Sequence, residues 1–324
     1  MEPTPLLLGS TVHCATSPPL RRATLLGMLR AIRIVTLSVS DLTEAECAYV
    51  DWLGYQRIER GLVDRALADC WGTPLIEGSP YALLRSAGGP EVVLRLIERP
   101  FTPGFAPLRT HGWNANEMLA LDPVALEQRL RRPDSPFEVI GASAPLDSNP
   151  KIIAMQAIGP NRELNYFTRI PPEGGTFIKC SARAFVDRSF IMVIGGSSMT
   201  DLRKFYGEHL AMTVTEPFLS KVSVLNDALG LPADHRTALA LAPLSSSFVL
   251  ELDEYPSGTT PRPCREGDIP PGISMVSFTT GTLKDCLPWR TRPTALDAQP
   301  YCGRHAGVIV GAAGEWIELI EESN

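Results

Sequence analysis

VTLSVSDLTEAECAYVDWLGY (35–55) lies without gaps over MVIGGSSMTDLRKFYGEHLAM (192–212). Tyr49 falls on Tyr206, Leu53 on Leu210 and Asp41 on Ser198. Each copy reads as an apolar strand followed by a short amphipathic helix, with Leu202, Phe205, Tyr206 and Leu210 at helical spacing. Downstream, VVLRLIERP (92–100) matches FVLELDEYP (248–256), and GPNRELNYFTRI (159–170) matches GAAGEWIELIEE (311–322). Three matched blocks at a nearly constant offset mean an internal duplication. The halves run over 30–172 and 186–323, and PPEGG (171–175) makes a linker start.

Each half contains two similar cycles. A cycle opens with a strand (IRIVTLSVSD, FIMVIGG or GISMVSFTT), continues through a short helix, and closes on further strands ending in the LxLxE-like blocks. The fold class expected is α+β: four βαβββ units, mostly antiparallel, forming two paired-unit half-barrel domains. Residues 1–29 precede the repeat as a Pro/Ser/Thr-rich extension, and Met28 stands just before the first good strand.

Bulk properties narrow the function classes. The chain has 324 residues, 44% hydrophobic and 20% charged, enough for two ordinary cores. A net charge of −6 from scattered residues gives no basic face for nucleic acid. No apolar run reaches the ~18 residues that would span a bilayer. Seven dispersed cysteines without CxxC or metal-like spacing suit a reducing cytoplasm.

VSDLTEAECAYVDWLGY, SSMTDLRKFYGEHLAM and above all GVIVGAAGEWIELIEE resemble the vicinal oxygen chelate superfamily, the glyoxalase, bleomycin-resistance and extradiol-dioxygenase group. The resemblance covers residues 30–323. It implies two paired-unit domains, with a working site in the C-terminal half and a terminal-strand glutamate as metal ligand, the place of Glu318. It also implies two histidine ligands, but their positions carry Ile191 and Ser274 or Met275, and the tyrosine position carries Val308. One ligand of three survives, so no metal or other cofactor is expected, with a divalent metal as the alternative.

Residues two apart on a strand share a face. With Glu318 inward, Trp316 and Ile320 follow it, and Arg304 and Ala306 follow Val308. The repeat relates Glu251 to Glu318, and the first half carries Arg95 and Tyr166 at the same sites. Glu318 and Glu251 are therefore expected to form one catalytic carboxylate pair in the C-terminal cup. A carboxylate in an apolar pocket has a raised pKa, and a second one nearby raises one of the two further. Arg304, Trp316, Val308 and His235, the last in the 219–236 insertion, are the candidate substrate contacts.

The expected activity is metal-independent proton transfer on a small organic substrate, aromatic or carbonyl-containing, by a lyase, isomerase or dehydratase. A ring-cleaving dioxygenase with unusual ligands and a non-catalytic small-molecule binder stay as alternatives. The partner expected is a small-molecule substrate, with a homodimer left open.

Overall fold

A computed structural model describes residues 27–146, 149–173 and 178–322. Nearly all of the N-terminal extension and the end of PPEGG lie outside these described residues. Unit one runs β1 (Ala31–Val39), α1 (Leu42–Cys47), β2 (Tyr55–Leu62), α2 (Arg65–Trp71), β3 (Pro80–Ser86) and β4 (Val93–Glu98). Unit two runs β5 (Gly112–Ala120), α3 (Pro123–Leu130), β6 (Glu138–Leu146), β7 (Asn149–Ile158) and β8 (Leu164–Arg169). Unit three runs β9 (Val186–Gly196), α4 (Met199–Lys204), β10 (Phe218–Ser220), α5 (Ser223–Leu229), β11 (Thr237–Pro243) and β12 (Val249–Glu254). Unit four has β13 (Gly272–Thr280), β14 (Thr294–Leu296), β15 (Arg304–Val310) and β16 (Trp316–Glu321), with turns where the other units place a helix.

The matched positions do matched work. Asp41 caps α1 by accepting from the Glu44 amide, and Ser198 caps α4 by accepting from the Asp201 amide. The Tyr49 hydroxyl reaches Glu163 at 3.0 Å, while that of Tyr206 reaches Glu315 at 2.7 Å. Both glutamates end the matched GPNRE and GAAGE turns, so one buried clasp is built twice.

Two mixed eight-stranded sheets result, in the orders β14-β15-β16-β13-β1-β4-β3-β2 and β10-β11-β12-β9-β5-β8-β7-β6. Within each unit the first strand pairs parallel with the last, and all other pairings are antiparallel. The α+β fold class and the four-unit repeat follow the sequence. The assembly of units does not: β1 pairs antiparallel with β13, and β5 with β9. The first sheet therefore joins units one and four, and the second joins units two and three. Each sheet takes one unit from each sequential half, where the sequence suggested a cup closed within each half. The tyrosine–glutamate clasps then run between the sheets, because Tyr49 follows a strand of the first and Glu163 precedes a strand of the second.

One face of each sheet packs into a shared core with α1, α3 and α4, through residues such as Leu37, Leu42, Leu126, Met192, Leu202 and Leu319. The other face of the first sheet packs against α2, with Trp71 among Ile34, Met275, Val308 and Trp316. The other face of the second sheet packs against α5, with Leu225 among Ile191, Val193 and Val249. These two faces are the cups. Their covering helices end alike, on Gly72 (φ 65°) and Gly230 (φ 66°), in the left-handed conformation that glycine adopts without a Cβ clash.

Candidate functional site

The last strands of the four units bring Arg95, Tyr166, Glu251 and Glu318 to equivalent places. Arg95 lies opposite Thr36, Tyr166 opposite Glu117, Glu251 opposite Val193, and Glu318 opposite Ser277, each across the parallel pair within its unit. Unit pairing then sorts them. Arg95 and Glu318 share the first cup, Tyr166 and Glu251 the second. The expected Glu251–Glu318 pair is thus corrected: β12 and β16 belong to different sheets.

In the first cup Glu318 is fully buried. Its Oε1 accepts from Trp71 Nε1 at 2.7 Å and from the Tyr301 hydroxyl at 2.8 Å, while Ser277 Oγ donates to Oε2. Arg95 is 2% exposed and donates from Nη2 to the Tyr301 oxygen at 2.9 Å. Its guanidinium lies 4.9 Å from the Trp71 ring centroid and 5.4 Å from that of Tyr301. A buried cation and a buried carboxylate are thus joined through one phenol, whose pKa is held well above its usual value by burial. Buried charges are tolerated when they are paired and hydrogen-bonded in this way. Cys70 beside them accepts no role in proton transfer, since burial, aided by Glu318, pushes its thiol up to about 12.

Strand parity was right for this cup. Trp316 and Ile320 share the face of Glu318, and Val308 lies directly opposite it. Trp316 is not an open wall, however, because Arg290 stacks on it at 3.8 Å. The Arg304 guanidinium is spent on the Tyr301 carbonyl at 2.7 Å and the Pro300 carbonyl at 3.0 Å, which closes the loop before β15. His235 follows α5 and belongs to the second cup's side. Its carbonyl accepts from Asn226 Nδ2 at 3.0 Å, a contact that fixes the loop.

The second cup gathers three carboxyls. Glu117 comes from β5, and Glu251 and Asp253 from one face of β12, beside Tyr166 and Tyr255. Burial lifts Glu117 to about 7, against a hydrogen bond from Thr168 Oγ1 at 2.5 Å that favours its ionised form. Burial also lifts Asp253 to about 8, and its Oδ1 has no hydrogen-bond partner. Glu251 is raised by burial first, then by Asp253 and Glu117. Yet Glu251 and Tyr166 are only partly buried, as are Leu241 and Gln156 opposite them. Gly195, opposite Asp253, leaves room for the Tyr255 ring, which a Cβ would approach within 2.6 Å.

The sequence reading missed Glu117, Trp71 and Tyr301. Glu117 was open to the argument used for Glu318, a lone carboxylate inside a strand otherwise fit for burial. Trp71 and Tyr301 carried no such signal, because one ends a short helix, the other lies in a loop, and only folding brings them to Glu318.

Four units paired first strand to first strand, each pair enclosing a cup, make the vicinal oxygen chelate fold. The structure is similar to that of glyoxalase I from Zea mays, with a TM-score of 0.59 at 13% identity over 90% of this chain and 92% of that one. It is also similar to a putative dioxygenase from Bacillus subtilis, with a TM-score of 0.58 at 10% identity over 92% of this chain and 87% of that one. No family model matches the sequence, and no curated protein matches it.

A divalent metal is the cofactor that the vicinal oxygen chelate fold suggests, and the residues of the first cup do not fit one. The first cup offers one carboxylate already holding three hydrogen bonds, with the Arg95 cation nearby to repel a second positive charge. Ile191, the position of one expected histidine, stands in the second cup, apart from Glu318. Among the described residues, no three His, Cys, Asp or Glu side chains are grouped to hold one ion.

Proposed function

We propose that the protein is an enzyme that moves a proton on a small organic molecule, as a lyase or isomerase does, and that the second cup performs this chemistry. The observation that carries the reading is the partly exposed Glu251 beside two carboxyls whose proton affinities are raised to about 7 and about 8. A general acid or base works best with a pKa near the working pH and with access to the substrate. Glu251 has both. It would take a proton from carbon beside a carbonyl, and the neighbouring acids would return one. Tyr166, whose hydroxyl burial holds protonated, would donate a hydrogen bond to the developing enolate oxygen. Three carboxyls disfavour an anionic substrate, so a neutral or cationic carbonyl compound fits this cup.

Glu318 was the other candidate for this work. Its oxygens face three donors and no solvent, which suits a fixed counter-charge to Arg95. The test is a panel of small carbonyl compounds incubated in deuterated buffer and followed by NMR. Incorporation at the carbon beside the carbonyl is expected with the native chain, and Glu251→Gln should slow it by about 10²-fold or more. Undiminished incorporation in Glu251→Gln would remove the proposal.

A further inference from the structure

A cavity of about 130 Å³ enters the first cup and ends on Arg95 and Tyr301. Leu62, Val63, Leu67 and Leu296 line its walls. Arg95 uses Nη2 on Tyr301, but its buried Nη1 has no hydrogen-bond partner. A buried donor on a charged group is rarely left unmatched in a native structure. Two carboxylates also border the cavity, but neither answers it: Asp64 caps α2 by accepting from the Leu67 amide at 2.8 Å, and Asp297 is exposed. Tyr81 turns its hydroxyl to Glu59.

We infer that this cavity binds a small organic monoanion, its carboxylate on Arg95 Nη1 and its short apolar tail among Leu62, Val63, Leu67 and Leu296. The chemistry follows from the charge placed there. Of the four equivalent strand positions, only this one carries a cation, so the first cup presents a guanidinium where the second presents carboxyls. A guanidinium donates to planar carboxylates with charge-assisted hydrogen bonds, and the Trp71 and Tyr301 rings hold it in place. The four apolar walls and the modest volume select a tail of a few carbons. The site is independent of the proton-transfer chemistry assigned to the second cup.

The full chain should be titrated with butyrate, butyramide and butylamine, read by ligand-observed NMR and by calorimetry. Butyrate should bind about tenfold or more tightly than butyramide, as a hydrogen bond to a charged group predicts. Butylamine should not compete. Arg95→Met should abolish the preference for the acid, and Ala295→Trp, at an exposed position bordering the cavity, should weaken butyrate while the fold stands. Glu251→Gln should leave butyrate binding unchanged, which separates this site from the other cup. Equal affinity for acid and amide, butyrate binding kept in Arg95→Met, or no butyrate binding at all would each overturn the inference. Should Arg95→Met fail to fold, the acid–amide comparison and Ala295→Trp still decide.

Discussion

Replacing Glu117 with glutamine should remove a defined part of the protein's pH-dependent stability. Burial holds this carboxyl at about 7 in the folded chain, against 4.5 for an ordinary glutamate. The folded state therefore binds its proton more tightly than the unfolded state does. Stability from this source is fully present below about pH 4.5 and is lost as pH rises through about 7, because only the unfolded chain then releases the proton without penalty. Between pH 5 and pH 8 the change spans roughly two pH units of uncompensated slope at about 1.4 kcal/mol each, or about 2–3 kcal/mol. Glutamine keeps the size and can still accept from Thr168, but it does not titrate. Urea unfolding of both proteins at pH 5 and pH 8 is the assay. Native stability should fall with pH by more than that of Glu117→Gln, the difference being about 2–3 kcal/mol. Some fall should persist in the variant, since burial also lifts Glu163 and Glu315 to about 7 and Asp253 to about 8. Identical pH dependence in the two proteins would refute the reasoning, and with it the proton affinity on which the second cup's chemistry rests.

Tyr49→Phe and Tyr206→Phe each remove one copy of the buried clasp to Glu163 or Glu315, so each should destabilise by about 1–3 kcal/mol in denaturant unfolding. Trp71→Phe keeps an aromatic ring near Arg95 but takes one of three donors from buried Glu318, with a similar expected cost of about 1–3 kcal/mol. A melting temperature unmoved by any of these would show that the corresponding contact carries no net stability.

The sequence by itself determined the repeat and the chemistry of each unit. Asp41 and Ser198 cap matched helices, and Arg95, Tyr166, Glu251 and Glu318 occupy one equivalent strand position. All of these are local facts: a cap needs its next turn, and strand parity needs only the alternation of neighbouring side chains. Parity also placed Trp316 and Val308 beside Glu318 correctly. Tertiary structure alone decided which unit meets which. The first strands β1, β5, β9 and β13 are all largely buried on both faces, so burial along one strand does not choose between β5 and β13 as the partner of β1. Pairing with β13 puts Arg95 beside Glu318 and leaves Glu251 with Glu117 and Asp253. That choice turned four equivalent positions into one cup that holds a cation against a carboxylate and another that crowds carboxyls together. Which charges share a low-dielectric space is a property of long-range strand pairing, and the residues within any one strand do not encode it.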